Sequence, residues 1–198
     1  QAVAILERAV DGLPDVDLEL RLRLERDLIS FGLFDNEASP RVRARLRAVT
    51  QGAGEDVDSV LLADLAFDGY VTGRPAKEVV QLAERALADP RLLAFASADR
   101  PEYSFAVTAL LFSDRYEAAA NALGSMFTEL RAQGSALGVA LASCFKAMLE
   151  IRQGRLSAAE ENALGSLEIP GSWRPMALAT LVEVLLERGD LAAAREAL

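Results

Sequence analysis

The chain has 198 residues, of which 52% are hydrophobic, and a formal net charge of −9. This composition suits a globular core, and no apolar run approaches the ~18 residues of a membrane span, so we expect a soluble chain without membrane contact. The acidic balance argues against nucleic-acid binding by this segment, because phosphate contacts require a basic surface.

Missing residue types narrow the possible chemistry further. The chain has no histidine, which removes the commonest general base and metal ligand. Cys144 is the only cysteine, so no internal disulfide can form, and no signal-peptide pattern follows Gln1. The last residues break off inside a helical pattern, so we expect a piece of a longer protein. We therefore expect a cytoplasmic chain that is not an enzyme and uses neither a metal nor a cofactor.

Two acidic clusters in the first third precede segments with helical apolar spacing. Acidic residues at such positions cap helices and favour the helix dipole, whereas a calcium or acid–base site is the less favoured alternative. The clusters are Asp15, Asp17 and Glu19, and Glu55, Asp56 and Asp58.

Residues 41–47 carry four alternating arginines, a pattern that fits either a half-buried strand or a helix. Ser39 can cap a helix, and Pro40 suits its first position. An apolar stripe at helical spacing runs through Val42, Leu46 and Val49. We therefore predict a helix. At ~100° per residue its arginines lie on two sides, so a solvated rim is favoured over a phosphate site.

A repeated pattern dominates the second half. The stretches RQGRLSAAEENAL and ERGDLAAAREAL both read Gly-x-Leu-x-x-Ala-Ala, and Gly189 follows Gly154 by 35 residues. A third copy has Asp114 at the glycine position, 40 residues before Gly154, and a fainter copy starts at Gly73. Apolar residues at helical spacing precede each turn, so the repeating unit is helix, turn, helix.

Small residues and caps complete this unit. Ala119, Ala159 and Ala194 follow the turns and let the second helix approach the first closely. In the stretch ELRAQGSAL, Gly134 can take the left-handed conformation that ends a helix, and Ser135 can cap the next one. Such signals predict about ten to twelve helices and no convincing strand.

Helix pairs at this spacing stack into a solenoid, because one amphipathic pair cannot bury its apolar face alone. We predict an all-α fold with degenerate helical repeats over residues 1–100 and clearer repeats over 101–198, continuous with the first part as one array.

The clearer units resemble the tetratricopeptide repeat. The last unit matches at Leu178, Leu181, Val182, Leu185, Gly189, Asp190, Leu191, Ala194 and Leu198. The unit around Asp114 matches at Tyr103, Val107, Leu110, Tyr116, Ala119 and Leu123. The resemblance implies a tetratricopeptide-like alpha-alpha superhelix, a solenoid of antiparallel helix pairs.

A more particular resemblance covers residues 103–198, which look like the helical-repeat region of the large ATP-binding LuxR-type transcriptional regulators. It is carried most strongly by Arg131, Gly134, Ser135, Gly154, Leu156 and Ala159. It implies a sensor and coupling region with an ATPase module before it and a helix-turn-helix module after it. This fragment contains no GxxxxGK[ST] phosphate loop. The implied partners are a protein or other domains of the parent chain, with a small effector as a further option.

The same register places candidate binding residues on the first helices of the three C-terminal units. The candidate groove residues are Thr108, Phe112, Met148, Arg152, Glu183 and Glu187. Phe112 and Met148 would supply apolar contact area, and Arg152 would bind an anionic group. The two glutamates would accept hydrogen bonds. In the alternative interpretation, Phe112 and Met148 are core residues and Arg152 pairs with a nearby glutamate.

An alternative function is a tetratricopeptide scaffold that binds a peptide or protein partner. Scaffolds that clamp acidic peptide ends line their groove with Lys, Arg and Asn, whereas Arg152 is the only cation at the matching positions here. Cys144 lies in an apolar stripe and is predicted to be a small buried packing residue.

Overall fold

The computed structural model describes residues 2–13, 18–35, 37–53, 57–94, 96, 100–171 and 173–197. Within these residues it contains twelve α-helices and no β-strand. The all-helical class and the predicted number of helices are therefore confirmed. No helix in the described part of the chain combines the length and apolar character that a membrane crossing requires.

The chain divides into two compact units. Unit 1 comprises Gln1–Leu92 and Pro101–Ala109, and unit 2 comprises Leu93–Arg100 and Leu110–Leu198. Unit 1 contains α1 (Ala2–Gly12), α2 (Leu18–Gly32), α3 (Ser39–Ala53), α4 (Ser59–Val71) and α5 (Ala76–Leu87). Unit 2 contains α8 (Tyr116–Ala132), α9 (Ala136–Arg152), α10 (Leu156–Leu167), α11 (Arg174–Glu187) and α12 (Leu191–Glu196). Residues of both units occur in α6 (Pro90–Ala94) and α7 (Glu102–Leu111).

Among the described residues, five helices end in the same left-handed turn. The residues with positive φ are Gly73 (74°), Asp114 (59°), Gly134 (66°), Gly154 (73°) and Gly189 (76°). In each turn the next N–H donates to the carbonyl five residues back, over 2.8–3.0 Å. This hydrogen bond satisfies a carbonyl of the last helical turn. The register that aligns Asp114 with the glycines, and the left-handed conformation predicted for Gly134, are therefore confirmed.

In four of these turns, the residue that donates this hydrogen bond also occupies the N-cap position of the next helix. Ser135 accepts a hydrogen bond from the N–H of Gly138 at 3.1 Å, as predicted, and Asp190 accepts one from Ala193 at 3.0 Å. Arg115 and Arg155 occupy the same cap position without a side-chain hydrogen bond. One residue thus ends a helix and begins the next, which keeps the connections short.

The predicted small residues are buried. Ala119 and Ala159 are 0% exposed and Ala194 is 3% exposed. In unit 2, neighbouring helices from α8 to α12 pack against each other, and α9 also packs against α11. Part of the core is a cluster of Ala147, Ala163, Leu181, Leu185 and Ala194. Alanine at these contacts allows close approach of the helices, which is why it recurs after the turns.

Unit 1 confirms the helix predicted from the arginine-rich segment but corrects its N-terminal cap. Val42 and Leu46 are buried, as the apolar stripe predicted. Ser39, the predicted cap, is already the first residue of α3. The carboxylate of Asp35 instead accepts hydrogen bonds from the N–H groups of Glu37 and Ala38, both at 3.0 Å.

The solvated-rim interpretation of the arginines is wrong for two of them. Arg43 pairs with the buried Asp68 of α4 at 2.7 Å, and Arg45 pairs with Glu25 of α2 at 2.5 Å. Arg41 is largely exposed and lies 3.3 Å from Glu7 of α1. Alternation around α3 therefore directs successive arginines to carboxylates on three different helices.

One of the predicted acidic caps is confirmed. Asp58 precedes α4 and accepts a hydrogen bond from the N–H of Leu61 at 3.0 Å. The other members of the two clusters cannot be compared with the fold, because Asp15, Asp17, Glu55 and Asp56 and the side chain of Glu19 lie outside the described residues.

Gly154→Ala and Gly124→Ala should change stability in opposite directions. A methyl group at either position meets no atom within 4 Å. Gly154 has a φ of 73°, where an L side chain costs roughly 1 kcal/mol, whereas Gly124 lies within α8, where alanine is favoured by about 0.5–1 kcal/mol. Urea unfolding should show a lower midpoint for G154A and a higher one for G124A. Two shifts of the same sign would contradict the backbone explanation.

Ala159→Leu should overpack the second helix of its pair and destabilise the protein by ~1–3 kcal/mol, because Ala159 is fully buried. Thermal unfolding measures the effect. Ala120→Leu, at an exposed position of α8, is the matched control and should leave the melting temperature nearly unchanged. Equal melting temperatures for A159L and the parent protein would rule out the packing role.

Candidate functional site

The six candidate groove residues are divided between the two units. Thr108 belongs to unit 1 and is 7% exposed. Its hydroxyl donates to the carbonyl of Ser104 at 2.7 Å, within α7. A buried hydroxyl that is already paired offers little to a ligand, so the candidate site is built from the other five residues, all in unit 2.

Arg152 and Phe112 are brought together. Arg152 is the last residue of α9, where a cation is favoured by the helix dipole, and Phe112 follows the end of α7. The guanidinium carbon lies 5.2 Å from the centroid of the Phe112 ring, a cation–π distance. Phe112 is half-buried and Arg152 is exposed. The aromatic ring therefore orients the cation while leaving it accessible.

Tyr116 and Asp114 extend this pair, although neither belongs to the groove predicted from the sequence. The Tyr116 hydroxyl donates to Oδ1 of Asp114 at 2.6 Å. This hydrogen bond is the main cause of the raised pKa of Tyr116, and partial desolvation and the Asp114 charge add to it. The charge of Arg152 acts on the same pKa in the opposite direction. We call Phe112, Asp114, Tyr116 and Arg152 the Arg152 cluster.

The remaining groove residues lie on α9 and α11. Met148 is half-buried and lies one helical turn before Arg152. Glu183 and Glu187 are exposed and lie one turn apart on α11. They lie on α11, whereas Arg152 ends α9 and Phe112 follows α7. The structure therefore brings the Phe112–Arg152 pair together and leaves the glutamates as a separate acidic feature.

Cys144 is a buried packing residue, as predicted. Its side chain is 0% exposed. Burial raises the pKa of its thiol to about 12, although the neighbouring hydroxyl groups of Ser166 and Thr180 act in the opposite direction. The reactive thiolate is therefore suppressed. Among the described residues, no group of three or more potential metal ligands is present.

An open hollow of about 660 Å³ lies beside α5. All of its lining residues fall between Arg74 and Ala88, so its walls come from one helix and the residues flanking it. A ligand site normally requires polar groups that converge from several elements. We therefore place no site there.

Comparison of the chain with protein-family models, with curated proteins and with solved structures finds no match. Function is therefore inferred from the residues of the chain itself, and the two family resemblances stay predictions.

Cys144 should be inert toward a thiol reagent such as DTNB while the protein is folded. A raised thiol pKa and full burial both oppose attack, and denaturation in urea should release one reactive thiol. The Ser125→Cys variant, at an exposed position of α8, provides the control because it should add one fast-reacting thiol. Fast reaction of the folded parent protein would show that Cys144 is accessible.

Proposed function

We propose that this chain is a non-catalytic helical-repeat region of tetratricopeptide type, the sensor and coupling part of a cytoplasmic LuxR-type transcriptional regulator. In this proposal it contacts a protein partner or other domains of the parent chain, with a small effector as a further ligand. One observation carries the proposal: a helix, a left-handed turn and a second helix recur along the chain.

The recurrent turn supports the repeat interpretation because it gives physical roles to the residues of the resemblance. Gly134 and Gly154 have positive φ, and Ser135 caps α9. Ala159 is buried four residues after the cap position of α10. Repeat arrays of this type are interaction modules, since each pair contributes residues to a shared surface.

The Arg152 cluster supports a contact role in unit 2. Arg152 is exposed and, within the described part of the chain, has no carboxylate within ion-pair distance. Its guanidinium can therefore donate to an anionic or hydroxylated group of a partner, with the Phe112 ring as an apolar neighbour. In this proposal Tyr116 offers further surface beside it.

The ion pairs of the α3 arginines argue against nucleic-acid binding by this segment. Arg41, Arg43 and Arg45 each have a carboxylate within ion-pair distance. A carboxylate beside an arginine repels phosphate, and the chain as a whole carries a charge of −9.

The alternative is a scaffold for a peptide. The exposed Glu183 and Glu187 favour this alternative, because two carboxylates one turn apart would attract a basic segment. Loss of binding to a basic peptide in the double variant Glu183→Gln, Glu187→Gln would favour the scaffold function.

The parent reading frame tests the proposal directly. Translation upstream of Gln1 should reveal a GxxxxGK[ST] phosphate loop, and translation downstream of Leu198 should reveal a helix-turn-helix sequence. If the full-length protein contains neither module, the proposed regulator function is wrong.

In the full-length regulator, Arg152→Ala should impair effector-dependent activation of a reporter gene by roughly tenfold, equivalent to the loss of one charge-assisted contact. The melting temperature of the fragment should change by no more than a few degrees, because an exposed cation–π pair contributes only about 0.5–1 kcal/mol. Arg131→Ala is the matched control. Arg131 also lies in a final helical turn and stands 5.3 Å from the Phe127 ring. If R131A and R152A activate the reporter equally, the Arg152 cluster has no specific part in the proposed function.

A further inference from the structure

Three polar side chains from three helices meet in the interior of unit 1. Ser30 of α2 and Asp64 of α4 are 0% exposed, and Glu102 of α7 is 4% exposed. The Ser30 hydroxyl oxygen lies 3.1 and 3.2 Å from the two carboxyl oxygens of Asp64. It also lies 3.1 Å from Oε1 of Glu102. One hydroxyl therefore joins two acidic side chains that are far apart in sequence.

The number of available protons constrains this arrangement. A serine hydroxyl has one proton, and an ionised carboxylate has none to donate. If both acids were ionised, the Ser30 hydroxyl could satisfy only one of them, and the other would face its oxygen without a proton between them. Two adjacent buried charges would also repel each other. The observed contacts therefore require a proton on one of the two carboxyl groups.

Asp64 is the better holder of that proton. Its burial raises its pKa well above the ordinary value, and the nearby charges of Glu102 and Asp58 add to the effect, while the Ser30 hydrogen bond acts against it. Glu102 lies in the first turn of α7, where the helix dipole favours the ionised form. The protonated Asp64 then donates to Ser30, and Ser30 donates to Glu102.

The nearby arginines pair with other carboxylates and do not neutralise Asp64. Asp58 pairs with Arg26 of α2, and Asp68, one turn after Asp64, pairs with Arg43 of α3. No cation lies within ion-pair distance of Asp64 among the residues that the structure describes. Removal of the proton would therefore create a buried charge without a neighbouring cation to compensate it.

We propose that Ser30, Asp64 and Glu102 form a proton-dependent junction that holds α7 against α2 and α4 within unit 1 and weakens when the junction loses its proton. This device goes beyond the proposed function, because it needs neither the Arg152 cluster nor an external partner. It makes the stability of unit 1 sensitive to pH.

The direction of the pH effect follows from proton linkage. The folded state holds the Asp64 proton more tightly than the unfolded chain, whose carboxyl has the ordinary pKa of 3.8. The stabilisation is fully present below this value. It decreases as pH rises toward the raised pKa, and the unfolding constant increases by up to about tenfold for each pH unit in this window.

Urea unfolding of the parent protein and of Asp64→Asn over an acid-to-alkaline pH series tests the junction. The asparagine amide can donate to Ser30 as the protonated acid does, so D64N should fold and should lack this contribution to the pH slope. Asp35→Asn is the matched control in the same unit. Hydrogen bonds from the N–H groups of Ala38 and Glu37 lower the pKa of Asp35, so its ionisation stabilises the folded state as pH rises. D35N should therefore remove a contribution to the pH dependence of stability that is opposite in sign to that of Asp64. Parallel pH profiles for D64N and the parent protein would overturn the proposal.

A direct measurement on the parent protein keeps the proposal testable even if D64N does not fold. Carbon-13 NMR of labelled aspartate side chains should reveal one carboxyl group that stays protonated after the other aspartates have ionised. In parallel, amide exchange in residues 105–109 of α7 should accelerate beyond the intrinsic effect of base once that carboxyl ionises. Normal titration of every aspartate carboxyl, or α7 exchange that is independent of the titration, would refute the junction.

Discussion

The hydrogen bond that closes each left-handed turn is the interaction on which unit 2 depends. The N–H of Arg155 donates to the carbonyl of Glu150 at 2.8 Å, and that of Asp190 donates to Leu185 at 2.9 Å. Each bond requires the preceding residue to have positive φ, so it fixes where one helix stops. Because the donor residue also occupies the N-cap position of the next helix, the same bond fixes where that helix starts. Buried alanines four residues after the cap then define how closely the two helices pack.

The turn at Asp114 departs from the glycine pattern and forms part of the Arg152 cluster. Asp114 is the only described non-glycine residue with positive φ, a conformation that is unfavourable for most L-residues but tolerated by Asp and Asn. Its carboxylate accepts the Tyr116 hydroxyl, an interaction that glycine could not provide. The positive φ of Asp114 costs a small amount of conformational free energy, but its side chain orients Tyr116 near Arg152. Such strained positions often belong to functional surfaces, which supports a contact role at this turn.

The sequence predicted what depends on local chemistry and missed what depends on distant partners. The turn register, the Ser135 cap and the burial of Cys144 follow from spacing and residue type, and all are confirmed. The partners of Arg43 and Arg45 were missed because they lie 25 and 20 residues away on other helices. Ser30, Asp64 and Glu102 were also missed, since polar residues within helical patterns usually face solvent. At the candidate site, the register grouped Phe112 with Arg152, whereas the contribution of Tyr116 required the geometry of the turn.

The two units use polar groups in different ways, which gives them different sensitivities. In unit 2 the buried Glu150 has an amide donor, Asn162 at 2.9 Å, and a nearby cation, Lys146 at 3.9 Å. Its charge is therefore balanced by groups of the protein itself. In unit 1 the buried Asp64 has no such cation among the described residues, so a proton must balance it. Buried polar networks fix the arrangement of helices only while each member is satisfied, because an unsatisfied buried charge costs several kcal/mol. The packing of unit 2 is consequently set by turn geometry and side-chain size, whereas that of unit 1 also depends on protonation.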